Sequence, residues 1–270
     1  MFHALLIGID RHADPHVPDL CCAQTDAEAL SAFLREQLDA ERQLTVLTND
    51  RATKERIRRL LTDELPKRVT PDDVVLLYFA GYGAAELEPA TGDLSLHLVT
   101  HDTELARLYH TSIDVGAELA RWLKLLAARD VAVVFDASFN GQGSGASRGA
   151  VRSLEGPGLR SGPRLRPERF SLGMVSFPEP CGVLTAAADH EMAAEDRTRG
   201  HGVFTQYMLE ALDAMTTSRR TTSSLTSLRS DVVSRMEAAG VTTQHPTLHG
   251  GRRHGTFLRL RSKVALRAAP

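Results

Sequence analysis

Cysteine is scarce in this chain: three in 270 residues, two of them adjacent (Cys21, Cys22) and one distant (Cys181). That excludes a disulfide framework and a spaced thiolate metal site, and it fits a reducing compartment. No charge of one sign dominates, and a net charge of -2 offers no basic face to displace counterions from nucleic acid, so no nucleic-acid partner is expected. Long hydrophobic runs are missing too. The stretch Ala4 to Ile9 has no basic leader and is too short for an export signal, and no run elsewhere approaches a membrane span. The expectation is a chain without membrane segments, in the cytoplasm. What is present is 42% hydrophobic content, enough for one substantial core.

That content is organised as short continuous apolar runs: Ala4 to Ile9, Leu44 to Leu47, Val74 to Phe79 and Val131 to Phe135. Runs that do not alternate read as strands covered on both faces. Helical stretches separate them. Thr25-x-x-Glu28 reads as a capping box opening a helix to about Leu38, Thr53 can cap a helix that Pro66 ends, and Asp114 to Ala128 carries Val115, Leu119, Trp122, Leu123 and Leu126 on one stripe. Strands alternating with helices imply right-handed crossovers and a mostly parallel sheet flanked by helices, a three-layer α/β/α class. Such sheets place sites at the carboxyl ends of strands, which singles out Ala80-Gly81-Tyr82-Gly83 and Asp136-Ala137-Ser138-Phe139-Asn140-Gly141.

From Gln142 to about Ser171 the composition turns to glycine, serine, proline and arginine, with Arg148, Arg152, Arg160, Arg164, Arg166 and Arg169 against Glu155 and Glu168. It reads as a solvated, flexible basic loop. Beyond it, Gly182 to Ala187 reads as a strand, Phe204 to Met215 and Leu225 to Met236 as helices, and Thr256 to Leu260 as a closing strand.

The opening strand with Asp10 and Asp26-Ala27-x-Ala29-Leu30, then Tyr78-Phe79-Ala80-Gly81-Tyr82-Gly83, Phe135-Asp136-Ala137-Ser138-Phe139-Asn140-Gly141 and Gly200-His201-Gly202-Val203-Phe204-Thr205, resemble in order and spacing the segments of bacterial caspase-like proteins and metacaspases, the C14 peptidases. The resemblance implies one caspase-like domain over 1–262: a large-subunit-like portion at 1–141, the loop 142–172 and a small-subunit-like portion at 173–262, with a tail at 263–270. It also implies a cysteine endopeptidase with a histidine after the third of these strands and a cysteine after the fourth. Those catalytic positions are held here by Tyr82 and Ser138. Cysteine attacks as a thiolate that a neighbouring imidazolium makes accessible, whereas Ser138 needs a base, and a phenol with a pKa near 10 is about one part in a thousand ionised at pH 7. The expectation is a pseudo-protease, since fold alone does not carry activity.

In metacaspases, which cleave after arginine or lysine, the carboxylates of the substrate-binding pocket match Asp26 and Asp136, and charge-assisted hydrogen bonds to a guanidinium follow from that match. The plainer reading of the pair is a helix start for Asp26 and a loop cap for Asp136. The function implied is a regulatory or protein-interaction module that binds, or is cut at, basic segments. Its partner would be a protein or peptide, including a catalytically active caspase-like protease, in bacterial stress response, cell death or defence. The alternative is a hydrolase in which Ser138 uses a recruited histidine, His12, His97, His101 and His201 lying nearest the expected edge. Cys22 and Cys181 sit beside core segments and read as buried apolar residues. The acid-rich stretch Asp189, Glu191, Glu195 and Asp196 lacks the ligand spacing of a calcium loop, so neither metal nor cofactor is expected. Monomer and homodimer both stay open.

Overall fold

Seven-residue strands whose every side chain is buried make up the middle of the molecule, which is why their sequences do not alternate. The computed structural model describes residues 1–38, 41–139, 151–155, 171–218, 221–250 and 255–261. In chain order, β1 (Phe2–Gly8), α1 (Ala23–Gln37), β2 (Arg42–Thr48), α2 (Lys54–Arg59) and β3 (Val74–Ala80) form the first half of the core. A smaller sheet begins with β4 (Gly83–Leu87) and β5 (Leu94–Leu98), followed by the single turn α3 (Leu108–Thr111) and β6 (Ile113–Asp114). Next come α4 (Ala120–Leu123), β7 (Asp130–Asp136), β8 (Ser153–Glu155), β9 (Cys181–Thr185), β10 (Glu195–Asp196) and β11 (His201–Gly202). The chain continues through α5 (Val203–Thr216), β12 (Thr222–Ser224), α6 (Leu225–Ala238), β13 (Thr247–Gly250) and β14 (Thr256–Arg259).

The main sheet runs β13-β9-β7-β3-β1-β2, parallel except for the pairing of β13 with β9. Successive side chains of a strand point to opposite faces. Ala4, Leu6, Tyr78 and Val134 therefore meet Leu30, Leu34, Phe204, Met208, Leu228 and Val232 on one face, under α1, α5 and α6. Leu5, Ile7, Leu77 and Val133 meet Ile57, Leu61, Trp122 and Leu123 on the other. This is the expected three-layer class. Among the long strands of the N-terminal half, the edge strand β2 is only half-buried along most of its length.

Local readings hold unevenly. Thr53 caps α2 as expected, accepting from the Arg56 amide. Thr25 does not open α1: the N-cap is Cys22, and the first amides are taken by a carboxylate from another segment, Asp10, at 2.7 Å from Ala23 N and 3.1 Å from Gln24 N. The helix expected over Asp114 to Ala128 is capped by Asp114 but begins as a π turn at Val115–Leu119 and closes with α4. The closing strand exists as β14 yet lies outside the main sheet, antiparallel to β12. A second four-stranded sheet, β6-β5-β4-β8, stands over the carboxyl edge of the main one and has no counterpart among the sequence expectations.

Candidate active site

β3 and β7 lie side by side in the sheet, with Ala80 opposite Asp136, so the segments leaving them meet at its carboxyl edge. Gly83 fits there because it has no side chain: a Cβ would stand 2.4 Å from the Ser138 carbonyl oxygen. Tyr82 and Ser138 are thereby brought to one place, and both are buried. Burial, with Glu195 as the next contributor, pushes the Tyr82 phenol above its usual range, so it stays protonated. The Ser138 hydroxyl is directed at the Arg152 carbonyl oxygen at 3.4 Å and accepts from Ala193 N at 3.0 Å.

Of the four histidines nearest this edge, His97, His101 and His201 have hydrogen-bond partners elsewhere, whereas among the described residues neither ring nitrogen of His12 has one. His12 packs against the Tyr82 ring with centroids 5.7 Å apart, and burial lowers its pKa to about 4. His97 is buried between the Ser95 and Ser112 hydroxyls, its pKa also lowered to about 4 by burial. His101 binds the Arg11 carbonyl, and His201 binds Asp26. Among the described residues no imidazole hydrogen-bonds Ser138.

Asp26 and Asp136 do converge, and on an arginine of the chain itself. Arg152 is fully buried; its Nη2 lies 2.6 Å from Asp26 Oδ2 and its Nη1 2.8 Å from Asp136 Oδ2. A third carboxylate, Glu195, reaches Nη2 at 3.2 Å and also accepts the Cys21 and Cys22 amides. Asp26 further accepts His201 Nδ1 at 2.7 Å and the Gly202 amide at 3.0 Å, and Asp136 accepts the Thr205 hydroxyl at 2.6 Å. Asp26 stands in the first turn of α1, whose leading amides Asp10 caps, and Asp136 turns toward Thr205 and Arg152 rather than capping its loop.

The charge balance sets the direction in which each group's pKa moves. Three carboxylates face one guanidinium and one imidazole, so burial, opposed by Arg152 and aided by Asp26, raises Asp136. The hydrogen bond to Asp26 raises His201, while Arg152 is held charged by its three acids. Cys22 and Cys181 are buried with thiols pushed up to about 12, which leaves both without thiolate at neutral pH.

Sequence reasoning finds Tyr82, Ser138, Asp26 and Asp136, and misses Arg152, Glu195 and the tie of His201 to Asp26. The sequence reading places Arg152 among six arginines of a solvated loop. That reading fails for Arg152; apart from 151–155 and 171–172, the loop lies outside the described residues, as does the tail 263–270. The signal that could have found it is Val151-Arg152-Ser153-Leu154, where two apolar residues flank the arginine inside a polar stretch. Of the acid-rich stretch, Asp189 accepts the Leu172 amide, Glu191 pairs with His245, and Asp196 binds Thr198, leaving Glu195 for the site. Among the described residues no group of three or more histidines, cysteines or acids is arranged to hold a metal, and no helix is long and apolar enough to cross a membrane.

The caspase-domain profile of peptidase family C14 matches residues 1–257. The chain belongs to the caspase-domain family. Its fold is similar to a crystal structure of a Geobacter sulfurreducens protein, with a TM-score of 0.69 at 16% identity over 96% of this chain and 97% of that one. It is also similar to caspase-1 from Spodoptera frugiperda, with a TM-score of 0.60 at 14% identity over 97% of this chain and 90% of that one. No curated protein matches the sequence. At these identities the two structures speak for the caspase fold, and the chemistry rests on this chain's own residues.

Proposed function

We propose that this caspase domain is catalytically disarmed and acts as a regulatory or protein-interaction module built around an arginine-recognition cleft. The carrying observation is the state of the two dyad positions: a buried phenol held protonated, and a hydroxyl bonded to a backbone carbonyl and a backbone amide. General-base catalysis needs a group that takes the nucleophile's proton within about 2.6–3.2 Å at working pH, and a phenol with a raised pKa does not. Recognition is supported separately: three carboxylates around one guanidinium make charge-assisted contacts to both of its terminal nitrogens, a spread that suits arginine better than the point charge of lysine.

The test is hydrolysis of a panel of arginyl and lysyl peptides by the unaltered protein, by Ser138→Ala and by the double variant Tyr82→His with Ser138→Cys. No turnover above background is expected from the first two, and activity after arginine from the third. Turnover by the unaltered protein that disappears in Ser138→Ala would overturn the disarmed reading. That outcome would also revive the alternative of a serine hydrolase with a recruited histidine, which no hydrogen bond among the described residues favours.

A further inference from the structure

We infer that the peptide held in this cleft is the chain's own: Val151 to Glu155 is a tethered ligand lying in the register of a substrate, with Arg152 in the acidic pocket and the Arg152–Ser153 bond against Ser138. The inference rests on the recognition cleft proposed above and names its ligand.

Side chain and backbone of Arg152 are held independently. The guanidinium is enclosed by Asp26, Asp136 and Glu195. The carbonyl oxygen accepts two convergent amides, Gly83 N at 3.1 Å and Ser138 N at 3.0 Å. Two backbone donors aimed at one carbonyl oxygen are the arrangement that stabilises an oxyanion in acyl transfer, and here they come from Ser138 itself and from the residue after Tyr82. The Arg152 amide donates to the Ala193 carbonyl at 2.8 Å, Val151 bridges Ala194, and β8 pairs in parallel with β4, Gly83 opposite Ser153. The segment is thus an added strand clamped on both sides, with main-chain bonds fixing register and one pocket reading one side chain.

Energetics agree with a ligand role. Taking a guanidinium out of water is costly unless acids and hydrogen bonds are already in place, and an arginine in a glycine- and serine-rich stretch has solvent as its easy alternative. The pocket also carries more acid than one arginine neutralises, which suits a site that draws a cation in. A tethered arginine further competes at millimolar effective concentration, so an external arginine peptide must displace it. A disarmed dyad holds such a strand without cutting it. With thiolate and imidazole present, sulfur would attack the Arg152 carbonyl carbon, the imidazolium would protonate the departing Ser153 amine as the C–N bond breaks, and water would hydrolyse the thioester to the Arg152 carboxylate.

Two measurements test this. The first is binding of a fluorescent peptide Ala-Val-Arg-Ser-Leu-Glu to the unaltered protein and to Arg152→Ala, with folding followed by circular dichroism. Vacating the pocket is expected to tighten binding at least tenfold, and equal binding by the two folded proteins overturns the inference. Should Arg152→Ala fail to fold, the second measurement decides. The double variant Tyr82→His with Ser138→Cys keeps Arg152 and is expected to cut itself between Arg152 and Ser153, at a rate independent of protein concentration, read by mass spectrometry of the new termini. Hydrolysis of added arginyl peptide with the Arg152–Ser153 bond left whole overturns the tethered-ligand inference while leaving the disarmed reading standing; so does an intact bond with no hydrolysis at all. Cleavage by the unaltered protein removes the disarmed reading instead.

Discussion

Arg152 is the residue on which the cleft turns, and its removal separates a structural charge network from a decorative one. Replacing one partner of a buried ion cluster leaves the others uncompensated, at a cost of about 3–5 kcal/mol. Arg152→Met is therefore expected to lower stability by that amount at pH 7 in denaturant titration. The loss should shrink at pH 5, where the buried Asp136, its pKa already raised, takes a proton rather than repel the neighbouring acids; a loss under about 1 kcal/mol at pH 7 would mean that the cluster contributes little. Gly202 is the steric counterpart. A Cβ there would meet Asp136 Oδ2 at 2.5 Å and Arg152 Nη1 at 2.7 Å, both fixed by ion pairing. Overpacking of this kind costs about 1–3 kcal/mol, so Gly202→Ala is expected to lower the melting temperature and to loosen Arg152, measured as a faster-exchanging Gly83 amide.

At the scale of elements, the boundary of α1 shows what a linear reading sees and what it does not. Thr25-x-x-Glu28 has the spacing of a capping box, but Thr25 is exposed within the helix and the first amides are served by Asp10, reached only when β1 has paired and α1 has packed down on it. Asp10→Ala is expected to cost about 0.5–2 kcal/mol, the usual value of a lost N-cap, and Thr25→Ala to stay within about 0.5 kcal/mol, both read by denaturant titration. Equal effects would restore the local cap. The three long central strands and their helices are legible because doubly covered strands leave unbroken apolar runs, and the edges carrying Tyr82 and Ser138 follow from strand order alone. β8 is not legible: a three-residue strand gains its identity from the partners that clamp it, and its composition resembles the loop around it. Glu195 escapes for the same reason, since its meaning depends on an arginine forty-three positions earlier in the chain.

On the scale of the whole molecule, the cleft joins segments that are far apart in sequence: Asp26 from α1, Asp136 from β7, Arg152 from beside β8, Glu195 from β10 and His201 from β11. Closing it ties the N-terminal half to the C-terminal half, so the protonation of this one cluster reports on global stability. His201 is the group placed to show it, because its hydrogen bond to Asp26 raises its pKa above the ordinary value near 6.5. A histidine whose folded pKa exceeds its unfolded one binds the proton more tightly in the folded state. Its contribution is fully present below about pH 6.5 and is lost as pH rises through the folded value. The buried Asp136, also raised, acts in the same direction over the lower range, because its proton too is held better in the folded chain. The melting-temperature difference between the unaltered protein and His201→Gln is therefore expected to be largest near pH 6 and to narrow steadily toward pH 9. A difference that stays constant across that range would mean that His201 contributes shape rather than charge, and that the acids of the cleft are balanced by Arg152 alone.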